Sequence, residues 1–144
     1  MARAELEKYF RKTVIAQTTH PEITAPGMGM KSDKEFGNLN LSVGWRAISA
    51  PFVMAPESHA HDFNQFLVFA GGDLTNMIDL GGEVELTLSQ DNINLEKFVI
   101  TEATAVFIPA GLYHCPLVFK KVNDPRKPIL FQNIILSAEY KRRS

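Results

Sequence analysis

The chain has 144 residues, enough for one domain with a sizeable core, and its 45% hydrophobic and 22% charged residues are typical of a globular protein. The net charge of −1 gives no electrostatic basis for binding nucleic acid or an anionic membrane, and no apolar run reaches the roughly 20 residues that cross a bilayer. The single cysteine, Cys115, excludes an intramolecular disulfide. Acidic residues stand where an export signal would be apolar, so we expect a cytoplasmic protein.

Residues 1–37 are predicted to form a helix followed by an arm. Leu6, Tyr9 and Phe10 recur at helical spacing, which predicts a short amphipathic helix within residues 4–12. Residues 18–37 are rich in Pro, Gly, Thr and Ser and have no sustained period, which predicts an irregular arm. We expect both to pack on the rest of the domain or on a partner subunit.

From residue 38 to residue 144 the pattern changes to short strands separated by turn signals. Alternation of apolar and polar positions over residues 41–48 predicts a half-buried strand. Residues 65–70 are almost wholly apolar, which predicts a strand covered on both faces, one in the barrel and the other against a second sheet, the N-terminal arm or a second subunit. About eight to ten such strands without a βαβ rhythm indicate an all-β fold, as an antiparallel sandwich, jelly roll or barrel. The basic residues 141–143 are expected to be a frayed, solvated end.

Two stretches carry candidate metal ligands. His59 and His61 are two positions apart, so on a strand both side chains project to one face, and Gln65 shares that parity. Neutral imidazoles with a third from elsewhere are a typical ligand set for divalent transition metals. The histidine pair alone is weak evidence, because surface strands carry such pairs by chance.

The second stretch adds a third histidine, His114, directly after a turn at Pro109 and Gly111. Burial of a charged imidazole among apolar neighbours would be costly, and coordination keeps it neutral. On a regular strand, Tyr113 and Cys115 would face away from His114, which favours a packing tyrosine and a buried, inert thiol.

Together the two stretches resemble the cupin superfamily. The first cupin motif appears as His59-x-His61-x3-Gln65-x6-Gly72 and the second as Pro109-x-Gly111-x2-His114. Outer positions depart from the motifs, since Val53 and Ala103 stand where glycine is frequent and Val118 where asparagine is frequent. The resemblance covers residues 38–137. It implies a single cupin jelly-roll β-barrel, a homodimer, and one divalent metal (Ni, Zn, Fe or Mn) held by His59, His61, Gln65 and His114.

Gln65 is the informative departure, because the family usually has glutamate there. An amide neither neutralises the metal's charge nor shuttles a proton. The centre would keep its full +2 charge and favour an anionic ligand, but it would lack the most direct general base.

Three further residues are candidates for substrate binding. Arg46 could hold a carboxylate by a bidentate pair if its side chain points into the barrel, although a surface arginine is the simpler interpretation. Gln132 and Asn133 fall on opposite faces of the last strand, so one amide is expected to face the cavity, and Gln132 is our candidate. Tyr113 is the third candidate, with a packing role as its alternative.

Two functions of different class remain open. The first is a metalloenzyme (a dioxygenase, decarboxylase, isomerase or lyase) that acts on a small anionic substrate by Lewis-acid or O₂-dependent chemistry. The second is a non-catalytic ligand-binding or sensing cupin with a structural or vestigial metal site. Neither involves nucleic acid or a membrane.

Overall fold

The computed structural model is built almost entirely of β-strands and describes residues 2–16 and 20–142. One short helix, α1 (Ala2–Glu7), precedes the strands. The strands are β1 (Val14–Ala16), β2 (Gly27–Ser32), β3 (Leu41–Ile48), β4 (Phe52–Ala55), β5 (Gln65–Gly71), β6 (Asp79–Ser89), β7 (Glu96–Glu102), β8 (Thr104–Ile108), β9 (Tyr113–Val122) and β10 (Ile129–Ile135). No helix in the described part of the chain is long and apolar enough to cross a membrane.

The described strands form two antiparallel sheets rather than one continuous ring. The larger sheet has the order β1-β2-β3-β10-β5-β8 and the smaller one β4-β9-β6-β7. Aromatic side chains from both sheets meet in the core, where the Phe119 ring lies 5.8 Å from that of Phe131 and 6.2 Å from that of Phe69. Strands adjacent in the sheets but distant in sequence are typical of a jelly roll. The all-β jelly-roll prediction is therefore confirmed.

Within the described chain, only one face of strand β5 is fully buried, which leaves a second subunit as the predicted cover for the other face. Gln65, Leu67 and Phe69 point into the core, whereas Phe66 between them is 37% exposed. The apolar run therefore does not reflect cover on both sides within this chain. It reflects an outer sheet surface that is itself apolar.

That outer surface, which we call the outer face, spans the larger sheet. The inter-strand registers place the following apolar residues on it: Met28, Val43, Trp45, Phe66, Val68, Phe107, Leu130 and Ile134. Phe66 and Phe107 pair there with ring centroids 5.2 Å apart, and Phe107 is 52% exposed. Among the paired positions that the structure describes on this face, none is charged.

The N-terminal region differs in part from its prediction. A helix is present, but α1 ends at Glu7, so Tyr9 and Phe10 of the predicted stretch lie beyond it, and none of the described residues of α1 is buried. The arm predicted to be irregular contains β2, which pairs with β3 along its length. Its sequence, GMGMKS, lacks the β-branched and aromatic residues that favour strands, so its strand conformation depends on pairing with β3. The domain boundary at residue 37 stays a prediction.

Candidate metal centre

Backbone hydrogen bonds join the two histidine stretches directly. His59 N–H donates to the His114 carbonyl at 3.1 Å, and His114 N–H donates back to the His59 carbonyl at 2.9 Å. Gly111 N–H donates to the His61 carbonyl at 2.8 Å. Gly111 has a φ of 88°, a left-handed conformation that glycine adopts without steric cost. The turn between β8 and β9 is thus held against the His-x-His segment.

The His-x-His segment is not in a strand, contrary to the expectation from parity. Only the isolated bridge between His59 and His114 is β-like, and His61 lies in the connection between β4 and β5. Asn64, which the sequence analysis missed, helps to shape this connection, because its Oδ1 accepts a hydrogen bond from Ala110 N–H at 2.8 Å. The histidines are brought together by these cross-links instead of by the pleat of one strand.

The three imidazole rings form one cluster. Ring centroids lie 4.5 Å apart for His59 and His114, 5.0 Å for His59 and His61, and 5.1 Å for His61 and His114. His61 and His114 are buried, and His59 is half-buried. The three predicted histidine rings therefore lie together, but the described donor atoms within 4.8 Å of one another are those of His59, His114 and Cys115, without His61.

Each ring is oriented by a backbone carbonyl at its Nδ1 atom. The carbonyl partners are Glu57 at 2.8 Å for His59, Lys141 for His61, and Leu112 at 3.0 Å for His114. A carbonyl can only accept, so each Nδ1 carries the proton and each Nε2 presents a lone pair. This is the arrangement by which proteins prepare histidines for a metal ion.

The Nε2 atom of His61 shows that the cluster lacks a partner group. It is buried and makes no hydrogen bond with the described residues, although His61 is only 2% exposed. A buried polar atom without a partner costs about 1–3 kcal/mol. A cation bound to this lone pair would remove that cost, so the donor set fits a divalent metal.

Gln65 occupies the position expected from the motif. It begins β5, is 2% exposed, and its amide Nε2 donates to His114 Nε2 at 3.2 Å. Its amide therefore lies at the lone pair that a metal would take. Whether Gln65 binds the ion itself is left as a proposal.

The Cys115 side chain lies on the same side of β9 as the histidine cluster. The expectation that it faces away from His114 is therefore wrong. Its Sγ and one ring nitrogen each of His59 and His114 lie within 4.8 Å of one another. The register between β6 and β9 shifts between Leu86 and Leu88, which adds one residue to β9. Such a bulge re-aims side chains, and the φ of 86° at Cys115 marks the irregular position.

A cavity of about 580 Å³ opens beside the histidine cluster. Arg46 and Asn133, from the adjacent strands β3 and β10, line it. The Arg46 Nη1 atom donates to the Trp45 carbonyl at 3.2 Å and lies close to Gly27, where an added Cβ would come within 2.6 Å of it. Arg46 therefore points inward, whereas Gln132 lies on the outer face and Tyr113 is not among the described lining residues. The amide that faces the cavity is that of Asn133.

The C-terminal residues line the cavity instead of fraying, although Tyr140, Lys141 and Arg142 are solvent-exposed as the sequence predicts for 141 and 142. Tyr140 and Arg142 line the cavity, and the Tyr140 ring lies 4.8 Å from that of His61. Lys141 contributes the carbonyl that orients His61. Arg143 lies outside the described residues. His20 also lines the cavity, and its ring centroid lies 5.5 Å from that of Phe52.

Burial sets the protonation states at the cluster. Desolvation lowers the pKa of all three histidines, that of His114 to about 4, and the positive charge of Arg142 lowers them further. Desolvation also lowers the pKa of Arg46 and raises that of the Cys115 thiol to about 12. At neutral pH the metal-free cluster thus holds neutral imidazoles and a neutral thiol next to cationic arginines.

Comparison with solved structures identifies the fold. Oxalate oxidase in complex with the substrate analogue glycolate has a TM-score of 0.60 at 15% identity, over 99% of this chain and 66% of that chain. A second oxalate oxidase structure has a TM-score of 0.57 at 16% identity, over 96% and 64%. A deletion mutant of Bacillus subtilis oxalate decarboxylase has a TM-score of 0.51 at 14% identity, over 83% and 28%.

These neighbours are cupin-fold proteins, and the chain has the cupin fold. It spans just under two thirds of the oxalate oxidase chains and under a third of the decarboxylase chain. At these identities the likeness shows the fold alone. No protein-family model and no curated protein matches the sequence.

The low pKa of His114 predicts a loss of stability in mild acid. Below its ordinary pKa of 6.5 and above about 4, the unfolded chain takes up a proton that the folded chain excludes. Stability therefore falls with decreasing pH, by about 2 kcal/mol between pH 7 and pH 5 from this group. Urea unfolding of the metal-free protein measures the fall. A His114→Gln variant should show a shallower slope, and equal slopes would contradict the assignment.

Proposed function

We propose that this cupin-fold chain binds one divalent transition metal and uses it to act on a small anionic molecule. The observation that carries the proposal is the buried, unpartnered Nε2 of His61, which lies in a cluster with two further imidazoles. His59, His61 and His114 would hold the ion, with Gln65 as the fourth ligand. All four are neutral donors, so the ion would keep its +2 charge.

The metal would be Ni, Zn, Fe or Mn. Imidazole suits most of these ions, and an amide in place of a carboxylate weakens the case for Mn, a harder ion. One structural neighbour is known for Mn(II) centres, which keeps manganese among the ions to test. When bound, such an ion supplies Lewis-acid polarisation of a coordinated oxygen or a binding position for O₂.

The cavity supports an anionic substrate. The Arg46 guanidinium can hold a carboxylate by two parallel hydrogen bonds, and Asn133 beside it can donate a third. Arg142 adds a second positive charge from the C-terminal segment. Leu67, Phe131 and Ile135 supply apolar walls, which lower the local dielectric and strengthen these interactions. Oxalate and glycolate, named with the neighbouring structures, are the first probes.

One observation favours a non-catalytic ligand-binding protein as the second candidate. Among the described residues that line the cavity, none is Asp or Glu. General acid–base chemistry would therefore depend on a histidine, on Tyr140 or on Cys115. A sensor needs only the metal, the arginines and closure of the C-terminal segment.

We also propose that the chain forms a homodimer through the outer face. From standard strand spacings, the outer face is about 24 Å wide and 23 Å long. The area that these dimensions enclose is of the same order as the ~800 Å² that each partner buries in a standard interface. The face's lack of charged residues in the described strands gives an acidic or basic partner nothing to pair with. A second copy offers an equally apolar surface, as a two-fold interface requires.

With a single cysteine and no disulfide, we place the protein in the cytoplasm.

Metal content tests the centre itself. The wild-type protein should bind one ion per chain, and His61→Ala should weaken binding at least about 100-fold, because one of three strong donors is lost. Isothermal titration with Zn, Ni, Fe and Mn, each checked by elemental analysis, measures this. His20→Ala, a cavity histidine outside the cluster, should bind normally. Unchanged affinity in His61→Ala would contradict the centre.

Anion binding tests the cavity. Metal-loaded protein should bind oxalate or glycolate, and Arg46→Gln should weaken binding by about 10- to 100-fold, because a charge-assisted hydrogen-bonded pair is lost. Arg126→Gln removes a charge that is 89% exposed and should have no effect. Calorimetry measures affinity, and O₂ uptake or CO₂ release on the same samples separates the enzyme from the binding protein. Equal affinity in all three proteins would contradict the assigned role of Arg46.

Solution mass tests the dimer. Light scattering should give about twice the 16.1 kDa mass of the chain. Phe66→Asp should give the monomer, because it places an unpaired charge in an apolar interface. Phe98→Asp, at a phenylalanine of β7 that is 52% exposed, should remain dimeric. A dimeric Phe66→Asp protein would rule out this face as the interface.

A further inference from the structure

We propose that Cys115 is a ligand of the same metal ion and binds it as a thiolate beside His59 and His114. The inference deepens the proposed function and rests on it. Its geometric basis is that Sγ of Cys115 and one ring nitrogen from each of these histidines lie within 4.8 Å of one another. Such a group can close around one ion, whose bonds are about 2.0–2.1 Å to nitrogen and about 2.3 Å to sulfur.

The irregular start of β9 places the thiol there. On a regular strand Cys115 would project to the face opposite His114. Pairing with β6 instead runs from Leu117 opposite Leu86 to His114 opposite Leu88, so β9 carries one extra residue. Cys115 has a φ of 86°, and its side chain and that of the adjacent His114 both line the cavity. A left-handed cysteine is an uncommon, costly conformation of the kind that clusters at ligand sites.

A second observation shows that this cluster is short of a ligand. The Nε2 atom of His61 has no hydrogen-bond partner, and the residue is 2% exposed. Its ring packs on those of His59 and His114, with centroids 5.0 and 5.1 Å away. An ion held by His59, His114 and Cys115 would lie beside the His61 ring, whose Nε2 is not among the donor atoms within 4.8 Å of one another and would have to approach the ion.

The thiolate would supply the negative charge that Gln65 lacks. On binding, the Cys115 S–H bond breaks, a bond from sulfur to the ion forms, and the proton passes to bulk water. No oxidant or reductant is needed, since a coordinated thiol ionises outright. The centre would carry +1 instead of +2. A soft thiolate also selects Zn, Fe or Ni over Mn, which distinguishes this chain from a centre of histidines and oxygen donors.

Cobalt substitution tests the proposal on the unmodified protein. Cys115 is the only cysteine, so a thiolate-to-cobalt charge-transfer band in the near ultraviolet can come from no other residue. The Co(II)-loaded wild-type protein should show this band at one ion per chain. Cys115→Ser should still bind cobalt and lose the band. Met54→Leu, which removes the thioether that lines the same cavity, should keep it.

Metal preference provides the second measurement. Cys115→Ser should weaken Zn binding at least about 10-fold and change Mn binding by less than about 3-fold, because only the soft ion loses a preferred ligand. X-ray absorption of the Zn-loaded wild-type protein should show one sulfur at about 2.3 Å. Cys115→Ala repeats the comparison if the serine variant does not fold.

The outcomes separate this inference from the proposal it rests on. Cobalt bound at one ion per chain without a thiolate band, and equal Zn affinity in wild type and Cys115→Ser, would overturn the role of Cys115 and leave the histidine centre intact. Failure of the folded wild-type protein to bind any of these ions would overturn both.

Discussion

The pair of backbone hydrogen bonds between His59 and His114 is the constraint on which the candidate site depends. These bonds join two segments that are more than 50 residues apart in sequence. One is the connection after β4, and the other is the start of β9. Because each residue both donates and accepts, the relative position of the two rings is set by the main chain. The third bond, from Gly111 to His61, adds the remaining histidine to the same frame.

The electrostatics of the cavity follow from this frame. Desolvation keeps the imidazoles neutral, and backbone carbonyls at Nδ1 direct each lone pair away from the main chain. The cations Arg46 and Arg142 line the same space, and neither Asp nor Glu is among the described residues that line it. Such a cavity is stabilised by an anion, and a cluster of neutral donors with an unsatisfied nitrogen is stabilised by a cation. A metal with an anionic ligand meets both requirements.

Sequence reasoning predicted the fold, and it singled out three histidines whose rings cluster and a glutamine whose amide contacts one of them: His59, His61, His114 and Gln65. Their role as metal ligands stays a prediction. Sequence reasoning failed where the backbone departs from regular geometry. Parity placed Cys115 on the wrong side of β9, since a bulge cannot be inferred from side-chain types. It also assumed a strand at His61. This residue is instead held by a backbone hydrogen bond from Gly111, in the turn between β8 and β9.

The other misses depend on tertiary contacts that leave no local pattern. Lys141 orients His61 through a carbonyl, which every residue possesses, so the sequence gives no sign of it. The choice between Gln132 and Asn133 required the register of β10 against β3. The outer face of β5 is apolar, and the described residues of the chain do not provide the full cover that its pattern predicts, which leaves a second subunit to supply it.

Anomalous diffraction from a crystal grown with Zn or Co tests the central claim most directly. The account predicts one strong peak per chain, about 2.0–2.2 Å from the Nε2 atoms of His59, His61 and His114, with each Nδ1 still on its backbone carbonyl. A peak bonded to Nδ1 atoms, a peak elsewhere on the chain, or no peak in a well-ordered crystal would contradict it.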